Sequence, residues 1–133
     1  MNARSHPRSG RLLALSVAVA LALAGCSDGP RGPGTLNARV EGPTPLGAAV
    51  VEVVGPGIAG FEGQGDTRVY GVLVPAQEGV HRVVVVSASG AIRFGIKVED
   101  LGADLPTLTA LDVATVLNQP GLLVGVKVRV ERP

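Results

Sequence analysis

The 133-residue sequence predicts a small all-β domain, an antiparallel sandwich of about seven or eight strands, with a small barrel as the alternative. Three observations predict it. From Leu36 onward apolar residues recur at every second position, the spacing of a half-buried strand. The 19 glycines and 10 prolines punctuate the chain at short intervals. No stretch beyond residue 36 carries the three-to-four spacing of a long amphipathic helix.

The first strand places Leu36, Ala38 and Val40 on one face and Asn37, Arg39 and Glu41 on the other. GPTPLG at residues 42–47 breaks it, and Ala48–Val54 resumes with β-branched residues on both faces and Glu52 as its one charge, the mark of a central strand. Gly55-Pro56-Gly57 turns the chain because glycine tolerates positive φ and proline restricts its own. A short strand follows near Ile58–Glu62. Thr67–Val74 and Val80–Ser87 read as a hairpin around PAQEG at residues 75–79. In Ala91–Val98, Ile92, Phe94, Ile96 and Val98 face in while Arg93, Gly95 and Lys97 face out.

Residues 105–117 carry two signals. Leu108, Leu111, Val113 and Val116 fit a short helix, whereas Thr107, Thr109 and Thr115 favour a strand. Strand is the reading, helix the alternative. The last strand sets Val124, Val126, Val128 and Val130 against Gly125, Lys127, Arg129 and Glu131, half buried with one solvated face.

Ahead of this domain, residues 1–11 carry Arg4, Arg8 and Arg11 with no acid, and Leu12–Ala24 is almost wholly Leu, Ala and Val. A charged segment followed by an apolar one of about a dozen residues is a signal peptide, since a membrane-spanning helix requires roughly 20. The apolar run ends in Leu23-Ala24-Gly25-Cys26, which resembles the lipobox of bacterial lipoproteins. The resemblance implies cleavage by the lipoprotein signal peptidase before Cys26, with Leu23, Ala24 and Gly25 as its recognition residues. It further implies fatty acylation at Cys26. Ser27 follows the cysteine where retention in the inner membrane would call for Asp in enteric lipoproteins, so the outer membrane is the expected destination.

The domains expected are therefore a leader over 1–25, the lipidated cysteine and a tether over 26–35, and the sandwich over 36–133. The tether, SDGPRGPGT from Ser27, is too rich in Gly, Pro and charge to bury apolar surface. Three of the 12 basic side chains belong to the leader, leaving nine against 11 acids and a formal charge of −2 for the rest. No dense basic face with interleaved aromatics points to nucleic acid. Cys26 is the only cysteine, so no internal disulfide supports the fold.

AAVVEVVGPGI (Ala48–Ile58) and AIRFGIKVEDL (Ala91–Leu101) resemble parts of short bacterial envelope lipoproteins with cohesin-like or immunoglobulin-like sandwiches. That resemblance implies a fold and leaves the function open.

Chemistry-bearing residues are sparse. His81 is the one histidine beyond the leader, in a valine-rich strand, which disfavours a Ser/His/Asp hydrolase. Zinc would require three or four Cys or His ligands. Glu99, Asp100 and Asp104 share one loop and are weak candidates for calcium. Phe61 and Tyr70 are candidates for a sugar-stacking platform. The expectation is a non-enzymatic, lipid-anchored binding or structural module of the envelope, without cofactor, meeting a protein or glycan partner. A small carbohydrate-binding module is the alternative and a hydrolase the more distant one.

Overall fold

The computed structural model describes residues 29–73 and 77–133, so the predicted leader and Cys26 lie outside the described residues. Eight strands form within them: β1 (Gly34–Glu41), β2 (Leu46–Val54), β3 (Ile58–Gly63), β4 (Arg68–Leu73), β5 (Val80–Val86), β6 (Ile92–Val98), β7 (Thr107–Thr115) and β8 (Lys127–Glu131). They make two four-stranded antiparallel sheets, sheet A in the order β3-β6-β1-β8 and sheet B in the order β4-β5-β2-β7. The sheets do not close into a barrel, and the domain is a β-sandwich.

Alternation explains which side chains meet between the sheets. Sheet A contributes Leu36, Ala38 and Val40 from β1 and Ile92, Phe94, Ile96 and Val98 from β6, all buried. Sheet B answers with Val51 and Val53 from β2 and Val83 and Val85 from β5. β2 is central in its sheet, between β5 and β7, as its two-sided valines predict. The β4–β5 hairpin forms in register from Arg68 opposite Val86 to Leu73 opposite His81.

The 105–117 segment is a strand, and its mixed signal has a physical cause. Val50 pairs with Asp112 but Val51 pairs with Ala110, so Leu111 is an extra residue that reverses the phase of the alternation. Leu108 and Val113 both turn toward the core although five positions apart, a spacing that a regular strand cannot satisfy.

Three boundaries differ from the sequence reading: the break at 42–47 ends sooner than expected, since β2 begins at Leu46 and not at Ala48, and both ends of the domain differ as well. The tether was expected to run through Thr35, but Gly34 and Thr35 already pair with Val98 and Lys97. The last strand was expected from Val124, yet β8 starts at Lys127 because Gly125 adopts φ +82° and Val126 N–H donates to Leu123 O at 3.1 Å. This turn throws Val124 outward, 82% exposed. Gly34 and the 116–126 connection therefore lie at opposite poles, since β1 runs from Gly34 beside Val98 to Glu41 beside Lys127.

Candidate functional site

The two outer faces of the sandwich differ in chemistry. On sheet B the second set of valines faces solvent. Tyr70, Val84, Val50 and Asp112 form one cross-strand row, and Arg68, Val86, Ala48 and Ala114 form the next. Tyr70 is 57% exposed and Val84 38%. A shallow hollow of about 330 Å³ opens on this face, floored by Ala48, Val50, Val84 and Ala114 and walled by the 118–120 turn.

That turn is built locally. Thr115 N–H donates to Gln119 O at 2.9 Å and Gly121 N–H to Val113 O at 2.8 Å, folding the chain back along the free edge of β7. Asn118 closes it at φ 59°, a left-handed conformation that asparagine tolerates better than most residues. Beyond it Leu122 and Val124 are more than four-fifths exposed, and residues 113–126 contain no charged side chain. Apolar exposure thus continues from the face of sheet B to the pole opposite Gly34.

Sheet A shows the opposite character, with Arg39, Glu41, Arg93, Lys97, Lys127, Arg129 and Glu131 projecting outward along β1, β6 and β8. Arg39 Nη2 meets Glu131 Oε1 at 3.0 Å, and Lys97 Nζ meets Glu62 Oε2 at 3.1 Å. Gly95 is buried beneath this layer, and a Cβ there would lie 2.6 Å from Thr35 Cγ2 and 2.9 Å from Glu62 Cγ.

Glu99, Asp100 and Asp104 do not converge on a cation site; among the described residues no group of three or more His, Cys, Asp or Glu is placed to hold a metal ion. Asp100 Oδ1 instead accepts from Gly102 N–H and Gly32 N–H, both at 2.8 Å. These bonds, the Gly102 one first, hold the Asp100 carboxyl below its ordinary 3.8, with the Arg31 charge adding to them against partial desolvation. Leu101 N–H donates to Gly32 O at 2.8 Å, while Arg132 donates to Leu101 O and Ala103 O. The acidic loop is a clasp around Gly32, just ahead of β1.

A comparable hub at the other pole had gone unnoticed in the sequence. Asp66 accepts from Ser89 N–H at 2.8 Å, Ser89 Oγ at 3.0 Å and Ser87 Oγ at 3.1 Å. The Ser89 amide is the main cause of its lowered pKa, which desolvation opposes. Its sequence signal is an aspartate in one turn and paired serines in another, a common way to satisfy turn amides.

Phe61 and Tyr70 do not share a platform. Phe61 stands opposite Ile96 and packs against the core, its ring 5.6 Å from His81 in an edge-on contact, whereas Tyr70 points outward on sheet B. His81 stands opposite the buried Val53 at the seam between β3 and β4, and the hollow it lines contains no carboxylate. Leu23, Ala24, Gly25 and Cys26 lie outside the described residues.

Comparison with protein-family models, with curated proteins and with solved structures gives no match.

Proposed function

We propose that this chain is a lipid-anchored module of the bacterial envelope that binds a protein through the outer face of sheet B. The observation that carries the anchoring is Leu23-Ala24-Gly25-Cys26 at the end of an apolar leader. Several acyl chains on Cys26 would make a stable anchor, since one chain alone binds a bilayer only marginally. The tether joins at the Gly34 pole, so an anchored domain presents its Leu122–Val124 pole away from the lipid.

Binding is supported by the apolar rows of sheet B, which a solitary envelope domain has no reason to expose. The partner is a protein with an apolar surface. A glycan would call for stacked rings, and this face offers one ring, Tyr70, its polar side chains being Arg68, Asp112 and the Arg82–Glu52 pair at 3.6 Å.

Metabolic labelling with a fatty-acid analogue tests the anchor: label is expected on the wild type and absent from Cys26→Ala, and equal labelling overturns it. A photo-crosslinker placed at Val84 tests the face. Val84→Glu is expected to weaken the purified captured pair by about tenfold or more, as the loss of one buried apolar contact implies, while Lys97→Glu on sheet A leaves it unchanged. Equal affinity of Val84→Glu and wild type overturns the docking face.

A further inference from the structure

Three arginines stand in one cross-strand row on the outer face of sheet A. Register sets Arg93 of β6 opposite Arg39 of β1, and Arg39 opposite Arg129 of β8. Like charges directly opposite on adjacent strands destabilise a sheet. The carboxylates nearby relieve only part of this. Glu131 is taken by Arg39 at 3.0 Å, and Glu41 lies 3.5 Å from Arg39 and 3.9 Å from Arg129. Among the described residues no carboxylate lies within ion-pair distance of Arg93. Arg39 Nε, shut off from solvent, is the atom that faces Glu41 Oε1 at 3.5 Å, an ion-pair contact without a hydrogen bond.

Hollows flank the Arg39–Arg93 pair on both sides. One, of about 410 Å³, is walled by the Gly42–Pro45 connection and the Ser89–Ala91 turn, with Glu41 also in its lining. The other, of about 270 Å³, reaches Asn37, Gln64 and Glu131. The outer face of sheet A carries five basic side chains, Arg39, Arg93, Lys97, Lys127 and Arg129, against Glu41, Glu62 and Glu131. The chain beyond the leader has a formal charge of −2, so positive charge is gathered on this face against the trend of the domain.

We propose that Arg39 and Arg93 form a binding site for a phosphomonoester group. Glu131 engages Arg39 by a single bond, from Nη2 to Oε1 at 3.0 Å, and not by the two-pronged fork that a carboxylate can accept from a guanidinium. A tetrahedral dianion presents three oxygens and accepts from two guanidinium groups at once, offsetting the repulsion within the row. Gln64 donates through Nε2 to Asn37 Oδ1 at 2.9 Å, which leaves the Asn37 amide nitrogen as a further donor at the edge of the smaller hollow. This site lies on the sheet opposite the docking face and stands or falls independently of it.

The test is an NMR titration of the arginine Nε–Hε resonances of the full-length chain in neutral detergent micelles, using inorganic phosphate at constant ionic strength. Saturable shifts at Arg39 and Arg93 are expected in the wild type. Arg93→Gln is expected to weaken phosphate about tenfold or more, the worth of a charge-assisted hydrogen bond, and Arg68→Gln on sheet B to change nothing. Without phosphate, Arg93→Gln is expected to raise Tm, the opposite of what a structural role for Arg93 would give. Glucose 6-phosphate and vesicles of phosphatidic acid against phosphatidylcholine then separate the sources of the group. Tighter binding to phosphatidic acid identifies a lipid headgroup, and equal binding to all three phosphates identifies the phosphate itself. Equal phosphate affinity in Arg93→Gln and wild type, or shifts that follow ionic strength alone, overturns the proposal.

Discussion

Sheets A and B share one core and present unlike faces to solvent. Toward each other they offer the same material: Phe94, Ile92 and Ile96 from one side, Val51, Val53, Val83 and Val85 from the other. Outward, sheet A carries arginines, lysines and glutamates in ion pairs from 3.0 to 3.9 Å, while sheet B carries valines among fewer charges, Arg68, Asp112 and the Arg82–Glu52 pair. Folding requires one apolar face per sheet and no more. The outward residues are therefore free to be set by what each face meets, and the valines of sheet B are surplus to the needs of the core.

The comparison breaks most severely if the shared core is not common to both faces. Phe94→Ala removes the largest fully buried side chain from sheet A and is expected to cost about 3–5 kcal/mol. Urea denaturation should show a single transition, with Tyr70 fluorescence on sheet B and far-ultraviolet circular dichroism moving together. Separate transitions would mean that the two sheets fold as independent units.

A smaller effect is expected where sheet B is finished by a local turn. Asn118→Val places a β-branched residue at φ 59° and should cost roughly 1–2 kcal/mol, while Asn118→Gly leaves stability nearly unchanged. Hydrogen exchange at the Thr115 and Gly121 amides, both bonded across this turn, should quicken in the valine variant only.

Acid should loosen both poles. The carboxyls of Asp66 and Asp100 are held below their ordinary value, so their contribution is complete above the unfolded value of about 4 and is lost as pH falls through the lower folded values. Tm is expected to fall below about pH 4, and less steeply in Asp66→Asn, since an amide oxygen still accepts from Ser89 N–H but no longer titrates. A parallel slope in wild type and variant would remove Asp66 from the account.

The smallest effect belongs to the charged face. A double-mutant cycle on Arg39 and Glu131, both well exposed, should give a coupling of about 0.2–1 kcal/mol that shrinks with added salt. A larger, salt-insensitive coupling would make the charged face part of what holds the sheet together.

Much of the strand layout was legible in the chain itself. The alternation of Ile92, Phe94, Ile96 and Val98 against Arg93 and Lys97 is a local property, and β6 follows it residue by residue. The two-sided valines of Ala48–Val54 marked a central strand for the same reason. Legibility failed where a backbone irregularity intervened: Leu111 reversed the phase of β7, and the turn at Gly125 delayed the start of β8 by three residues. It failed more fully for the candidate sites. Phe61 and Tyr70 are nine residues apart in the chain yet belong to different sheets, facing in and facing out. Asp100 looked like a ligand because its neighbours are acidic, and its partner proved to be Gly32, 68 positions away.

What the sequence alone determined is the set of strands, the side of most strands that is apolar, and a single cysteine at the end of an apolar run. Those features depend on composition and on a period of two, which neighbouring residues decide among themselves. Only the tertiary structure decided that Arg93, Arg39 and Arg129 lie in one row, that Asp66 meets Ser87 and Ser89, and that Gly34 and the Leu122–Val124 pole lie at opposite ends. Each of these depends on which strands pair and in what register. Pairing joins residues dozens of positions apart, and one extra residue in a strand moves every later side chain to the other face.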